Sequence, residues 1–160
     1  MVKESGHVYT RWKIEKYLNE EDYKNNKPYQ IDEFDKNLLL DEGIHELLLL
    51  LIGDGSATPY NNANAQLGVG NSSVATASTQ TDLQGASTAW VGMDSGYPSV
   101  SGNVVTFKAT FDGDTANFAW EEFSVRNGAT ANKNLNRRVI SKGTKSAGEV
   151  WTLTLEIKIN

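Results

Sequence analysis

The segment Val150 to Ile159 reads VWTLTLEIKI, and its alternation constrains the fold more than any other feature of the chain. Trp151, Leu153, Leu155, Ile157 and Ile159 fall on one face of an extended backbone, and Thr152, Thr154, Glu156 and Lys158 on the other. A period of two sustained over ten residues is a strand signature. A strand with one apolar face needs a second layer to cover it. The remaining chain must supply that layer.

Two further segments repeat the pattern. HVYTRWKIEKYL places Val8, Thr10, Trp12 and Ile14 on one side, and NVVTFKATF does so with Val105, Phe107, Ala109 and Phe111. YQIDEF, AQLGV (with Ala65, Leu67 and Val69) and LNRRVIS read as shorter strands. In NFAWEEFSVRNG, Phe118 and Trp120 take one side while Phe123 and Val125 take the other. That parity change at Glu121-Glu122 predicts a bulge or a strand open on both faces. Short strands separated by turn signals such as DGDTAN and Asn127-Gly128 predict a mainly β fold. The architecture expected is an antiparallel β-sandwich or barrel carrying one α-helix at about 41–52. At 160 residues the chain reads as one domain over 1–160. A chain of that size buries roughly 70% of its unfolded surface and needs no staple.

The helix is expected from NLLLDEGIHELLLLLIGDG. Ile44, Leu47, Leu48, Leu51 and Ile52 recur at helical spacing along one face. Asp41 is placed to cap its N-terminus, Glu42 to complement the macrodipole, and Gly53 to end it in a left-handed C′ position. The Leu47–Ile52 run is expected to fill the β core. Leu49 and Leu50 fall off the main stripe and are left for contact with another subunit. A membrane span is not expected, because three acids and a glycine interrupt a segment that would need ~20 apolar residues. Residues 1–28 read as a strand and a charged loop. Residues 54–88, rich in Gly, Ala, Ser, Thr and Asn, read as a polar extended segment with one short strand and an anchor at Leu83.

No catalytic, cofactor-binding or metal-binding residue is assigned from the sequence. With no cysteine there is no disulfide framework and no thiolate chemistry. The two histidines, His7 and His45, lie in different segments, and no nucleophile elbow accompanies the serines. Gly68-x-Gly70 lacks the lysine and hydroxyl of a phosphate loop and reads as glycines in a bend. Asp112-Gly113-Asp114 reads as a hairpin turn in preference to a calcium loop. Glu121 and Glu122 are neighbours on a strand and point to opposite faces, unlike a glycosidase pair. One of them is expected to pair with an arginine such as Arg137. Asn71-Ser72-Ser73 fits a glycosylation acceptor by composition alone. Trp12, Trp120 and Trp151 share strand faces with aliphatics and read as core. The formal charge of −5, with Arg137-Arg138 and Lys142/Lys145 as the most basic features, does not suggest a nucleic-acid face. MVKESGHVYT carries no apolar stretch of a secretory signal.

The ordered phrases NLLLDEGIHELLLLLIG, PYNNANAQLGVGNSS, TDLQG, GMDSGYP, VTFKATF, ANFAWEEFSVRNG, LNRRV and GTKSAGEVWTLTLEIKI span nearly the whole chain. With the N-terminal RWKIEKY, this set resembles a family of small virion structural proteins of tailed double-stranded DNA bacteriophages, described as capsid-associated or tail-fibre-like. The resemblance implies a non-enzymatic particle component without cofactors. It implies a capsid decoration (cement) protein that binds the major capsid protein or other virion subunits. A homo-oligomer is expected, a trimer by preference, located in the virion and assembled in the host cytoplasm. The alternative is a tail or neck component, a fibre base or an adhesin, using Tyr60, Tyr97 or Trp90 on host glycans. On physical grounds, Glu121 or Glu122 is expected to pair with Arg137 or Arg138 across neighbouring strands.

Overall fold

A computed structural model of the protein describes residues 5–160; the first four residues of the charged N-terminal arm lie outside the described residues. In chain order the elements are β1 (Val8–Tyr17), α1 (Glu20–Lys24), β2 (Gln30–Asp35), β3 (Leu38–Leu39), α2 (Asp41–Leu51), β4 (Gln66–Gly70), β5 (Thr88–Gly92), β6 (Ser99–Ser101), β7 (Val104–Phe111), β8 (Glu122–Arg126), β9 (Asn136–Val139) and β10 (Val150–Ile159). They form two five-stranded antiparallel sheets, ordered β2-β1-β10-β7-β6 and β3-β9-β8-β4-β5. The fold is a β-sandwich-like arrangement with minor helical content.

The three long alternating segments are the centre of the first sheet. β10 pairs along its whole length with β1, setting Trp12 opposite Leu155 and Ile14 opposite Leu153, and on its other side with β7, setting Leu155 opposite Phe107. Directly opposed residues share a face. This register therefore gathers Trp12, Ile14, Phe107, Ala109, Phe111, Trp151, Leu153 and Leu155 into one buried layer. The second sheet covers it with Leu67, Val69, Phe123 and Val125, all fully buried. Aromatic rings join the layers. Trp120 meets Trp151 and Phe111 edge-on at 4.8 Å between centroids, and Trp12 lies 5.8 Å from Phe123. Such pairs contribute about 0.5–1.5 kcal/mol each beyond area burial.

The end of the core is closed by a cation. Lys16 follows Trp12 and Ile14 on the inward face of β1 and is buried; its Nζ donates to Lys142 O at 2.6 Å, pairs with Asp32 at 2.8 Å and sits 4.3 Å from the Trp151 ring centroid.

Several expectations are corrected. The charged stretch after β1 is not all loop. Asn19 Oδ1 accepts the Asp22 amide and caps α1, a single turn of helix with three acids in its first turn. β3 and β6 escape the alternation test because they have two and three residues, and β5 because Trp90 stands between Ala89 and Val91 and leaves both faces apolar. Phe118 and Trp120 do not lie in the strand of Phe123, since β8 begins at Glu122. The chain breaks parity at Glu121, whose amide donates to Gly70 O while its carbonyl accepts from Ile140 N. Trp120 thereby enters the same core as Phe123 and Val125. Gly68 and Gly70 lie in β4, not in a bend.

The largest correction concerns α2. Its N-cap is Leu40, which makes no side-chain capping bond; Asp41 lies in the first turn and accepts a hydrogen bond from Ser78 Oγ. Gly53 does follow the C-cap Ile52 with a φ of 71°. The apolar stripe does not fill the core. Ile44, Leu47, Leu48, Leu51 and Ile52 are exposed, while the buried residues of the helix are Gly43 and Glu46. Leu49 and Leu50, the two that stand off the stripe, are the half-buried ones.

Candidate functional site

The inversion of α2 follows from what lies beneath it. Glu42 and Glu46 are four residues apart and share a face, opposite the stripe of Ile44, Leu47, Leu48 and Leu51. The surface under the helix is polar backbone. Glu42 Oε1 accepts the Asn134 amide at 2.7 Å, and Glu46 Oε1 accepts both the Thr58 amide at 2.8 Å and Asn127 Nδ2 at 2.9 Å. Asn127 also donates to Thr58 O and accepts from Lys133 N. A buried amide left without an acceptor costs about 1–3 kcal/mol, and the carboxylate face of the helix supplies acceptors to these three donors where the apolar face has none. Gly43 completes the seat. A Cβ there would meet the backbone of Asn134 and Leu135. Burial raises the Glu42 carboxyl above its ordinary value, although the Asn134 amide pulls the other way.

The outward face of α2 is thus an apolar ridge. Leu51 and Ile52 are 80% and 76% exposed, and Leu48 is 56%. Fully burying one such side chain is worth about 1.5–3 kcal/mol, a gain this chain alone does not collect. Contiguous exposed apolar area of this kind marks interaction surfaces.

Behind the second sheet lies a buried ion pair. The β8–β9 register sets Glu122 opposite Val139, so Arg137, two residues before Val139, shares the face of Glu122. Arg137 Nε donates to Glu122 Oε2 at 2.9 Å. Nη2 lies 2.8 Å from the same oxygen but off the hydrogen-bonding direction, and both side chains are fully buried. The pair also pins the polar segment. Glu122 accepts the amides of Gln84 and Gly85, and Arg137 Nη1 donates to Val74 O and Gln80 Oε1. Gly70 has no side chain where the Glu122 carboxylate sits, and Gly68 leaves room for the Trp90 ring. The expected carboxylate–arginine pairing is therefore Glu122 with Arg137, while Glu121 is half-buried beside it.

The remaining sequence candidates are dispersed. Asp112 Oδ1 accepts from Thr115 Oγ1 and the Asp114 amide, closing its own turn; these bonds hold its carboxyl below the usual range. His45 is exposed on α2, and His7 stacks on Tyr9. Asn71 Oδ1 accepts the Ser87 amide. Among the described residues no three His, Asp or Glu side chains gather at metal-binding distance, and no helix is long and apolar enough to cross a membrane. Of the three aromatics considered for glycans, Tyr60 donates to Lys133 O and its phenol is pushed well up by burial. Trp90 lies under the Arg126 guanidinium at 4.2 Å, and Tyr97 is half-buried.

Glu46 and Asn134 carry no role in the sequence reading, and Asn127 enters it only as a turn residue before Gly128. The i,i+4 pair Glu42 and Glu46 beside Gly43 was the available signal. Lys145 had none: it is fully buried, donates to Asp112 O and Asn117 Oδ1, and is pushed down in pKa by that burial. No protein-family model, no curated protein and no solved structure matches the chain.

Proposed function

We propose that the protein is a non-enzymatic structural component of a bacteriophage particle, a decoration protein that binds the capsid lattice as an oligomer. The observation that carries this reading is the outward ridge of α2, five large apolar side chains held on one face by buried polar contacts on the other. The ridge is mounted on a two-layer β scaffold, so it is presented in a fixed orientation rather than on a mobile tail. Fixed apolar patches suit repeated contacts. Each contact is weak, but copies on a lattice share effective concentration, and avidity rises without new chemistry. The sequence resemblance to virion structural proteins points in the same direction.

Copy number on purified particles of the encoding phage tests the reading. A decoration protein is present in numbers comparable to the major capsid protein. A count of about a dozen or fewer, as expected of a closed ring at one vertex or in the tail, rejects decoration and favours the tail or neck alternative. Replacement of Leu48 and Leu51 by Ser is expected to release the protein from particles while leaving it folded.

A further inference from the structure

A second feature is independent of the α2 ridge. Beside β3 and β9 the surface forms a depression of about 360 Å³ whose lining includes Lys36, Asn37, Arg137 and Arg138, with Leu38 and Val139 as apolar wall. None of the lining residues is acidic. Two of their donor atoms, Asn37 Nδ2 and Arg138 Nε, are shielded from solvent and make no hydrogen bond. Native proteins leave few buried donors unpaired, and each calls for an explanation. Two from neighbouring positions across β3 and β9, beside one hollow, share an explanation more economically than two separate defects.

The charge balance points the same way. The charge of Arg137 is compensated by Glu122. Lys36 and Arg138 form no ion pair among the described residues. Lys36 is exposed, and Arg138 is half-buried with Nη1 turned to the neighbouring Val139 O at 3.3 Å, a long bond for that atom. A small turn of the Arg138 guanidinium presents its Nε and second Nη as a fork. That fork matches the geometry of a carboxylate or phosphate, and arginine is the residue suited to bidentate oxyanion recognition. The amide of Asn37 supplies a neutral donor beside it, and the ammonium of Lys36 supplies a point charge.

We propose that this depression is an oxyanion-binding site, taking a carboxylate or a phosphate through Arg138, Lys36 and Asn37. The volume exceeds that of a bare anion and leaves room beside Leu38 and Val139 for a larger group bearing the acid.

Titration of the isotopically labelled full chain with sodium phosphate, and separately with sodium acetate, at fixed ionic strength tests the proposal by amide chemical shifts. Saturable shifts are expected at residues 36–38, 75–76 and 137–139. Saturation by phosphate alone assigns a phosphate-bearing ligand, saturation by acetate alone a carboxylate, and saturation by both the shared chemistry; each supports the site. Arg138→Gln is expected to weaken the binding roughly tenfold, the loss of one charge-assisted hydrogen bond. Arg138→Lys is expected to restore part of it, and Lys36→Gln, a change at an exposed residue, to weaken it without touching the fold. Lys158→Gln, on the exposed end of β10, serves as control and leaves binding unchanged. Non-saturating shifts, shifts elsewhere on the surface, or equal loss in the Lys158 variant overturn the proposal.

Discussion

Arg137 Nε donates to Glu122 Oε2 at 2.9 Å with neither side chain exposed, and the same carboxylate accepts the Gln84 and Gly85 amides of the polar segment. A buried ion pair owes little of its net energy to Coulomb attraction, because desolvation offsets it. Its removal by halves is the costly event. Glu122→Ala or Arg137→Ala leaves one buried charge uncompensated and is expected to destabilise the fold by about 3–5 kcal/mol. Urea denaturation reads this as a lower midpoint. Replacing both by apolar residues of similar size should cost less than the two single changes summed. Amide exchange at Gln84 and Gly85 should accelerate in the Glu122 variant.

The ridge of α2 separates binding from stability. Leu51 is 80% exposed and Leu48 is 56% exposed, so Leu48→Ser with Leu51→Ser removes little packing within the chain. The expected change in unfolding free energy is within about 0.5 kcal/mol for each surface site. If the proposed decoration role holds, particle binding measured by co-sedimentation falls below detection in the same variant. A large loss of stability would place these leucines inside the fold and contradict the inverted orientation.

Gly43→Ala opposes two effects whose sizes differ. Alanine is a better helix former than glycine by about 1 kcal/mol. The added methyl group, however, meets the backbone of Asn134 and Leu135, with Asn134 O 2.6 Å from the Cβ position. Backbone does not swing aside as a side chain tip does, and overpacking of this kind typically costs about 1–3 kcal/mol. The variant should therefore be less stable by thermal or urea denaturation despite its improved propensity, and its Glu42–Asn134 contact should loosen.

Asp32 sets part of the acid stability. Burial raises its carboxyl, but the Lys16 ammonium and Gln30 amide outweigh this and hold the pKa below the ordinary 3.8. A depressed carboxylate contributes stability that is present above the unfolded value and is lost as the pH falls through the folded one. Below pH 3.8 the folded state therefore binds fewer protons than the unfolded state, and acid weakens the fold. Asp32→Asn should lower stability at neutral pH and flatten the decline below pH 3.8, read from urea midpoints at successive pH values.

Legibility in the sequence follows from the kind of signal each element carries. The first sheet is readable because β1, β7 and β10 are eight to ten residues long and carry apolar residues at every second position over most of that length. Period-two patterning over that length has no competing explanation. The second sheet was read only in outline, since its strands have two to five residues and Glu122 and Ser124, which face away from the core, are buried as fully as Phe123 and Val125. A polar segment folded back over that face and removed the polar–exposed correspondence on which alternation depends.

The sequence by itself determined that the chain folds as antiparallel β layers around Trp12, Phe107, Trp151 and their neighbours, and that a helix runs from about Asp41 to Ile52. Both follow from local periodicity, a property of the chain alone. Only the tertiary structure decided which way that helix faces. Periodicity specifies an apolar side without saying what lies opposite it. The surface beneath α2 offers the amides of Thr58 and Asn134 and the side chain of Asn127, donors that Glu42 and Glu46 can satisfy and the leucines cannot.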